Sequence, residues 1–238
     1  VWTKGCEDLI RKAKSDKPIF AFLGLNNPHP PYHAEKKYLD LIDESLITPP
    51  KAPSKPEDKK PSMQYELCEA LGIGDWDDVN KLKLRKTYLA QCARVDDFTG
   101  RIIQALKDTG RYDNAAIFFF ADHGDFTADY GIPEKAQNLF DDCLVKVPLI
   151  VKLPKSMQSD SGINSNPVEL IDFFATVLDI TETEAGHTHF GRSLKSTIAD
   201  KNVVVRDFVC SEGGRLKNES HCTDEVENYF GVVADEYG

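Results

Sequence analysis

The chain has 238 residues, 41% of them hydrophobic, which is enough apolar mass for one α/β domain or a large part of one. Its formal net charge of −10, from 29 Lys and Arg against 39 Asp and Glu, leaves no basic surplus to neutralise phosphates and argues against a nucleic-acid partner. No apolar run reaches membrane-spanning length, and the six cysteines are too scattered for a disulfide framework and show no C-x-x-C metal spacing. Val1 opens the chain without a basic-then-apolar leader, so the native start is expected to have been removed or to lie upstream, and no compartment is assigned.

In chain order, residues 7–14 carry Leu9, Ile10 and Ala13 at helical spacing and predict a short surface helix. Residues 19–25, Ile-Phe-Ala-Phe-Leu-Gly-Leu, predict a buried strand ended by Asn26-Asn27-Pro28-His29-Pro30-Pro31-Tyr32. The prolines deny that segment both helix and strand. They also hold His29 on a stiff loop, as a preorganised ligand group requires, although a plain loop histidine is the simpler reading of the residue alone. A short helix is expected over 35–43, and residues 48–62, rich in Pro, Lys, Ser and Asp, form an exposed excursion.

Over 77–109, Tyr88, Cys92, Val95, Phe98, Ile102 and Leu106 recur at steps of three and four and predict one long amphipathic helix stopped by Gly110. Its Arg94, Asp96, Asp97 and Arg101 read as a salt-bridged helix face, not a catalytic cluster. Cys92 and Cys143 lie on apolar stretches and read as buried structural thiols.

Residues 115–121 are continuously apolar, the pattern of a strand buried on both faces. Asp122-His123-Gly124-Asp125 follows at once, placing polar groups at the carboxyl edge of the sheet, where open α/β folds bind ligands. A polar loop runs to Lys135, and Val147-Pro148-Leu149-Ile150-Val151 opens a second apolar strand. A helix over 167–180 with Pro167 in its first turn follows. His187 and His189 read as surface histidines. This alternation predicts an α/β fold with a mixed, largely parallel sheet flanked by helices.

The ordered set Asp122-His123-Gly124-Asp125, Asp129-x-Gly131-x-x-x-Lys135 and Lys146-Val147-Pro148-Leu149-Ile150 resembles the sulfatases of the alkaline phosphatase superfamily. The P-H-x-P segment around His29, a V-x-L-x-D-F-x-x-T-x-L-D pattern from Val168, and Gly191-Arg192-Ser193-Leu194 extend the likeness over roughly residues 17–215. Tyr130 stands where many members have His, and Ala128 where many have Gly.

The resemblance implies the C-terminal half of a sulfatase-like α/β catalytic domain over 1–200 and the start of a smaller C-terminal subdomain over 201–238. It implies that Asp122 and His123 are ligands of a divalent metal, usually Ca2+ in the family. It also implies that Lys135 touches a sulfate oxygen and the nucleophile region, and that His29 contacts the sulfate or leaving oxygen. A carboxylate suits a hard cation, whereas an imidazole ligand suits a transition metal better.

Sulfatases carry a C/S-x-P-x-R segment whose Cys or Ser becomes the formylglycine nucleophile. Here Ser54-Lys55-Pro56-Glu57-Asp58 comes nearest and ends in Asp. The nucleophile and two acidic metal ligands are therefore expected upstream, in a missing N-terminal half of the same domain, and the fragment alone is expected to be inactive. The implied activity is metal-dependent hydrolysis of a sulfated small molecule or glycan. A phosphodiesterase or phosphonate monoester hydrolase of the same superfamily, and an inactive module, stand as alternatives. His29, Asp122, His123 and Lys135 are expected to converge at one carboxyl edge of a single sheet.

Overall fold

The helix at the start of the chain is longer than its apolar spacing predicts. In the computed structural model, which describes residues 2–14, 17–53, 55, 57, 62–71, 73, 75–213 and 230–234, α1 spans Trp2–Lys12. It belongs to the first of two compact units, made of residues 1–115 and 125–136; the second comprises 116–124 and 137–238. The first unit also holds α2 (Lys36–Leu39), α3 (Ser62–Leu71) and the 31-residue α4 (Asp78–Asp108).

Both ends of α4 follow from sequence. The Asp77 side chain accepts the Asn80 N–H at 2.7 Å, a standard N-cap. At the other end Gly110 takes φ +68°, and Arg111 N–H reaches back to the Leu106 carbonyl at 2.9 Å. This satisfies a carbonyl that the helix itself leaves unpaired.

The charges of α4 do not pair along its own face as expected. Arg101 donates to both Glu7 oxygens at 2.8 Å, Arg94 pairs with Glu35 at 2.8 Å, and Asp97 accepts the Tyr38 hydroxyl at 2.6 Å. These bonds tie α4 to α1 and to the loop and helix at 35–39, so α1 is a surface helix, as expected, anchored through Glu7 with Ile10 buried on its inner side.

Residues 19–25 take no regular secondary structure and form no ladder among the described residues, and Phe20 and Phe22 are 76% and 73% exposed. The buried strand expected over 19–25 is therefore absent among the described residues. Apolar composition favours a strand, but a strand forms and is buried only where a neighbouring strand takes up its N–H and C=O groups. α3 was not foreseen, and the 48–62 excursion lies partly outside the described residues. Its described part is anchored: Arg85 donates to the Thr48 carbonyl at 2.8 Å, and Lys51 N–H donates to Asp129 at 2.8 Å.

In the second unit, β1 (Ile117–Phe120) pairs antiparallel with β2 (Leu149–Lys152), with Phe119 opposite Ile150. The short helix α5 (Asp142–Val145) lies between them in sequence. Phe118 and Phe120 project from one face onto Phe173 of α6 (Ile171–Thr181), with ring centroids 5.0 and 4.9 Å apart. On the other face Ile150 is 62% exposed, so this strand pair is covered on one side rather than both. Completing the unit are α7 (Lys195–Ala199) and an antiparallel pair of β3 (Val209–Gly213) and β4 (Phe230–Ala234). Both strand pairs among the described residues are antiparallel.

α6 begins at Ile171, four residues after Pro167, and its polar positions explain the pattern around them. Asp172 accepts the Arg192 N–H at 2.8 Å and the Glu169 N–H at 2.9 Å, and it pairs with the buried Arg206 guanidinium. Thr176 accepts the Leu194 N–H at 2.9 Å, and Asp179 accepts the Ser193 hydroxyl at 2.5 Å. Gly191 is required by close approach, since a Cβ there would meet the Ile171 carbonyl. The helix pattern and the Gly-Arg-Ser-Leu segment are thus two halves of one clasp.

His187 and His189 are exposed, as expected, and flank the Phe174 ring with centroids at 5.6 and 5.4 Å. Among the described residues no helix is long and apolar enough to cross a membrane.

Candidate active site

The His29 loop turns back on itself where its N–H meets the Asn26 carbonyl at 2.8 Å. His29 Nδ1 lies 2.7 Å from the Pro30 carbonyl oxygen. A carbonyl only accepts, so Nδ1 carries the proton and Nε2 presents its lone pair. Lys135 Nζ stands 2.7 Å from that Nε2 and donates to it. The Lys135 ammonium, 34% exposed at the side chain, also lies 3.6 Å from the Glu134 carboxylate.

Tyr32 joins the two loops that meet in this pair. Its hydroxyl is 2.9 Å from Asp125 Oδ2 and 3.1 Å from the Pro133 carbonyl. Burial pushes the Asp125 carboxyl above the usual carboxylate range, against the lowering effect of its bonds to Thr127 N–H and Tyr32. Burial, then the Asp125 charge, likewise pushes the Tyr32 hydroxyl up. Cys92, half-buried rather than buried, has its thiol raised to about 11, first by desolvation and then by Asp125.

Between Asp125 and Lys135 the backbone is unusual. Thr127, Ala128, Tyr130 and Gly131 all take positive φ, with Ala128 at +76° in the left-handed region that glycine enters without steric cost. That geometry accounts for the Gly many family members carry at this position. Neighbours hold the turn in place: Arg85 of α4 donates to the Thr127 carbonyl at 3.1 Å and pairs with Asp129, and both side chains are largely buried. Arg85 and Tyr32 carried no local signal in the sequence, because their partners lie 44 and 93 residues away.

In the second unit, Asp122 and His123 sit together at the end of β1. His123 N–H donates to Asp122 Oδ1 at 2.9 Å, and His123 Nδ1–H donates to the Gly124 carbonyl at 2.7 Å. That bond leaves Nε2 bare, 3.7 Å from Asp122 Oδ2. The Asp122 side chain is 88% exposed. Gly124 is fixed by close approach: its N–H donates to the Leu144 carbonyl at 2.7 Å, and a Cβ would run into the Cys143 carbonyl.

A carboxylate oxygen beside an imidazole nitrogen whose other nitrogen is tied to a carbonyl is a fitting pair of metal donors. Among the described residues no three His, Cys, Asp or Glu side chains gather closely enough to hold a metal ion. Of the four expected site residues, His29 meets Lys135 and Asp122 meets His123; the two pairs belong to different compact units.

The phosphonate monoester hydrolase of Silicibacter pomeroyi superposes with a TM-score of 0.67 at 28% identity, over 79% of this chain and 38% of that one. The architecture is therefore the α/β fold of the alkaline phosphatase superfamily. The sulfatase family pattern matches residues 1–183, and the chain belongs to the sulfatase family. The arylsulfatase of Clostridium perfringens is 25% identical over 225 residues, covering 90% of this chain and 44% of the relative. A sulfatase of Formosa agariphila is 29% identical over 236 residues, covering 93% and 41% respectively. The chain spans less than half the length of these relatives.

Proposed function

We propose that the polypeptide containing this chain hydrolyses a sulfate ester of a small molecule or glycan, with His29 and Lys135 as catalytic groups and Asp122 and His123 as metal ligands. The reading is carried by the 2.7 Å contact between His29 Nε2 and Lys135 Nζ. These two residues are 106 positions apart and lie in separately recognisable sulfatase segments. Cleaving a sulfate ester builds negative charge on the sulfate and leaving oxygens, so the site needs fixed donors aimed at both. Lys135 supplies the ammonium, and the His29 imidazole, tied at Nδ1 to the Pro30 carbonyl, holds its Nε2 against that ammonium before substrate arrives.

A divalent cation, most often calcium in the family, supplies further fixed positive charge at the sulfate oxygens when bound. Asp122 and His123 would give it one hard oxygen and one nitrogen, too few for a closed cage. The remaining ligands and the formylglycine nucleophile are assigned to an N-terminal half of the same domain, with residues 201–238 opening a smaller subdomain. The exposed apolar side chains of Phe20 and Phe22 support that assignment, since neighbouring large apolar groups left in water mark a surface that another part of the protein covers.

The second reading, a phosphonate monoester hydrolase, is favoured by the Silicibacter pomeroyi relative. Turnover of an aryl sulfate and of an aryl phosphonate monoester by the polypeptide bearing this chain and its nucleophile separates them. Faster aryl sulfate turnover is expected, and a preference for the phosphonate would install the second reading. The 238-residue chain by itself is expected to turn over neither.

A further inference from the structure

We infer that Tyr32 is a positioning residue that holds the His29 imidazole on the Lys135 ammonium, an inference that rests on reading those two as site residues. Tyr32 follows His29 by three positions on the same stiff loop, and its hydroxyl bonds to both ends of the segment that carries Lys135. Asp125 Oδ2, at 2.9 Å, is where that segment begins, and the Pro133 carbonyl, at 3.1 Å, is two residues short of Lys135. A single hydroxyl thus braces the loop of one partner against the loop of the other.

The brace is itself rigid. The Tyr32 ring packs against the cluster of Ile73, Leu84 and Ala128 and stands edge-on to Tyr88 at 6.4 Å. Lys135 needs such support. Its long side chain has many rotamers, it is partly exposed, and the turn before it runs through several left-handed residues. No contact of Tyr32 reaches His29 or Lys135 directly among the bonds described, so its action is through the loops. Arg85 and Asp129 fix the tip of the same turn, but their bonds go to α4 and to residues 48 and 51, not to the His29 loop. Tyr32 alone among these residues links the two loops.

The test is the side-chain nitrogen spectrum of His29 in the 238-residue chain, which reads the tautomer directly. The wild type should show one tautomer, protonated at Nδ1 with Nε2 accepting. Tyr32→Phe keeps the packed ring and removes only the hydroxyl; it should lose the single-tautomer pattern and give the averaged signal of a loose imidazole. Lys135→Ala should also lose it, with Tyr32 intact. If Lys135→Ala disturbs His29 and Tyr32→Phe does not, the brace is wrong while the pair stands. If neither variant disturbs it, or the wild type is already averaged, the pair itself is wrong and the brace falls with it. A Tyr32→Phe chain that fails to fold also overturns the inference, because the hydroxyl would then hold the fold and not two side chains.

Discussion

Asp172 and Asp122 are both carboxylates from recognisable patterns, and the protein treats them in opposite ways. Asp172 is fully buried and surrounded by donors: two backbone N–H groups and the Arg206 guanidinium. Asp122 is 88% exposed, takes a backbone N–H from its neighbour, and stands 3.7 Å from a bare imidazole nitrogen. A buried charge saturated by protein donors serves the fold, since each donor comes from a segment it fastens. An open carboxylate next to an oriented imidazole retains lone pairs for a ligand.

Asp172→Asn should show the largest effect. It leaves the Arg206 guanidinium buried with less than its full counter-charge, although Glu169 remains 2.6 Å away. Removing one partner of such a pair costs about 3–5 kcal/mol. Asp122→Asn should stay within about 0.5 kcal/mol, as exposed substitutions do. Urea unfolding of both variants checks this, and comparable losses would erase the distinction. Gly124→Ala should fall between them, at about 1–3 kcal/mol, because the added Cβ meets a backbone carbonyl that must shift.

The remaining effects are on pH dependence, where Asp179 and Cys92 differ in sign. Asp179, in the clasp, is held below the usual carboxylate range by Ser193 and then Lys195. Its contribution is present above the unfolded value and is lost as pH falls through the lower folded value. Cys92, beside the site loop, is raised to about 11 from an ordinary 9.0. Its contribution is present below about 9 and is lost as pH rises toward 11. Asp179→Asn should therefore flatten the acid limb of stability and Cys92→Ala the alkaline limb. Thermal melts across pH read both, and an unchanged limb would remove that residue from its account.

The sequence made some of this legible and hid the rest for physical reasons. α4 was readable because its period, its Asp77 cap and its Gly110 stop are all local. The strand at Ile117–Phe120 was readable from composition, yet its burial was overstated, because burial depends on which neighbours cover each face. Residues 19–25 failed for the same reason. His29 and Lys135 stand out as candidates through their segments, whereas Tyr32 and Arg85 bond to residues far along the chain and leave no spacing to read. Ala128 was noticed only as a departure from Gly; its positive φ supplies the reason.

The most direct test of the account is Lys135→Ala in the polypeptide that joins this chain to its nucleophile, read by aryl sulfate kinetics and a thermal melt. Lys135 is partly exposed and lies in no apolar cluster among the described residues, so its truncation leaves no core cavity there. Its proposed task is to face charge that grows at the sulfate oxygens, where loss of one preorganised donor costs about a hundredfold or more in rate. The account predicts that loss in turnover with an unmoved melting temperature. Unchanged turnover would contradict it and return Lys135 to the role of an ordinary loop lysine.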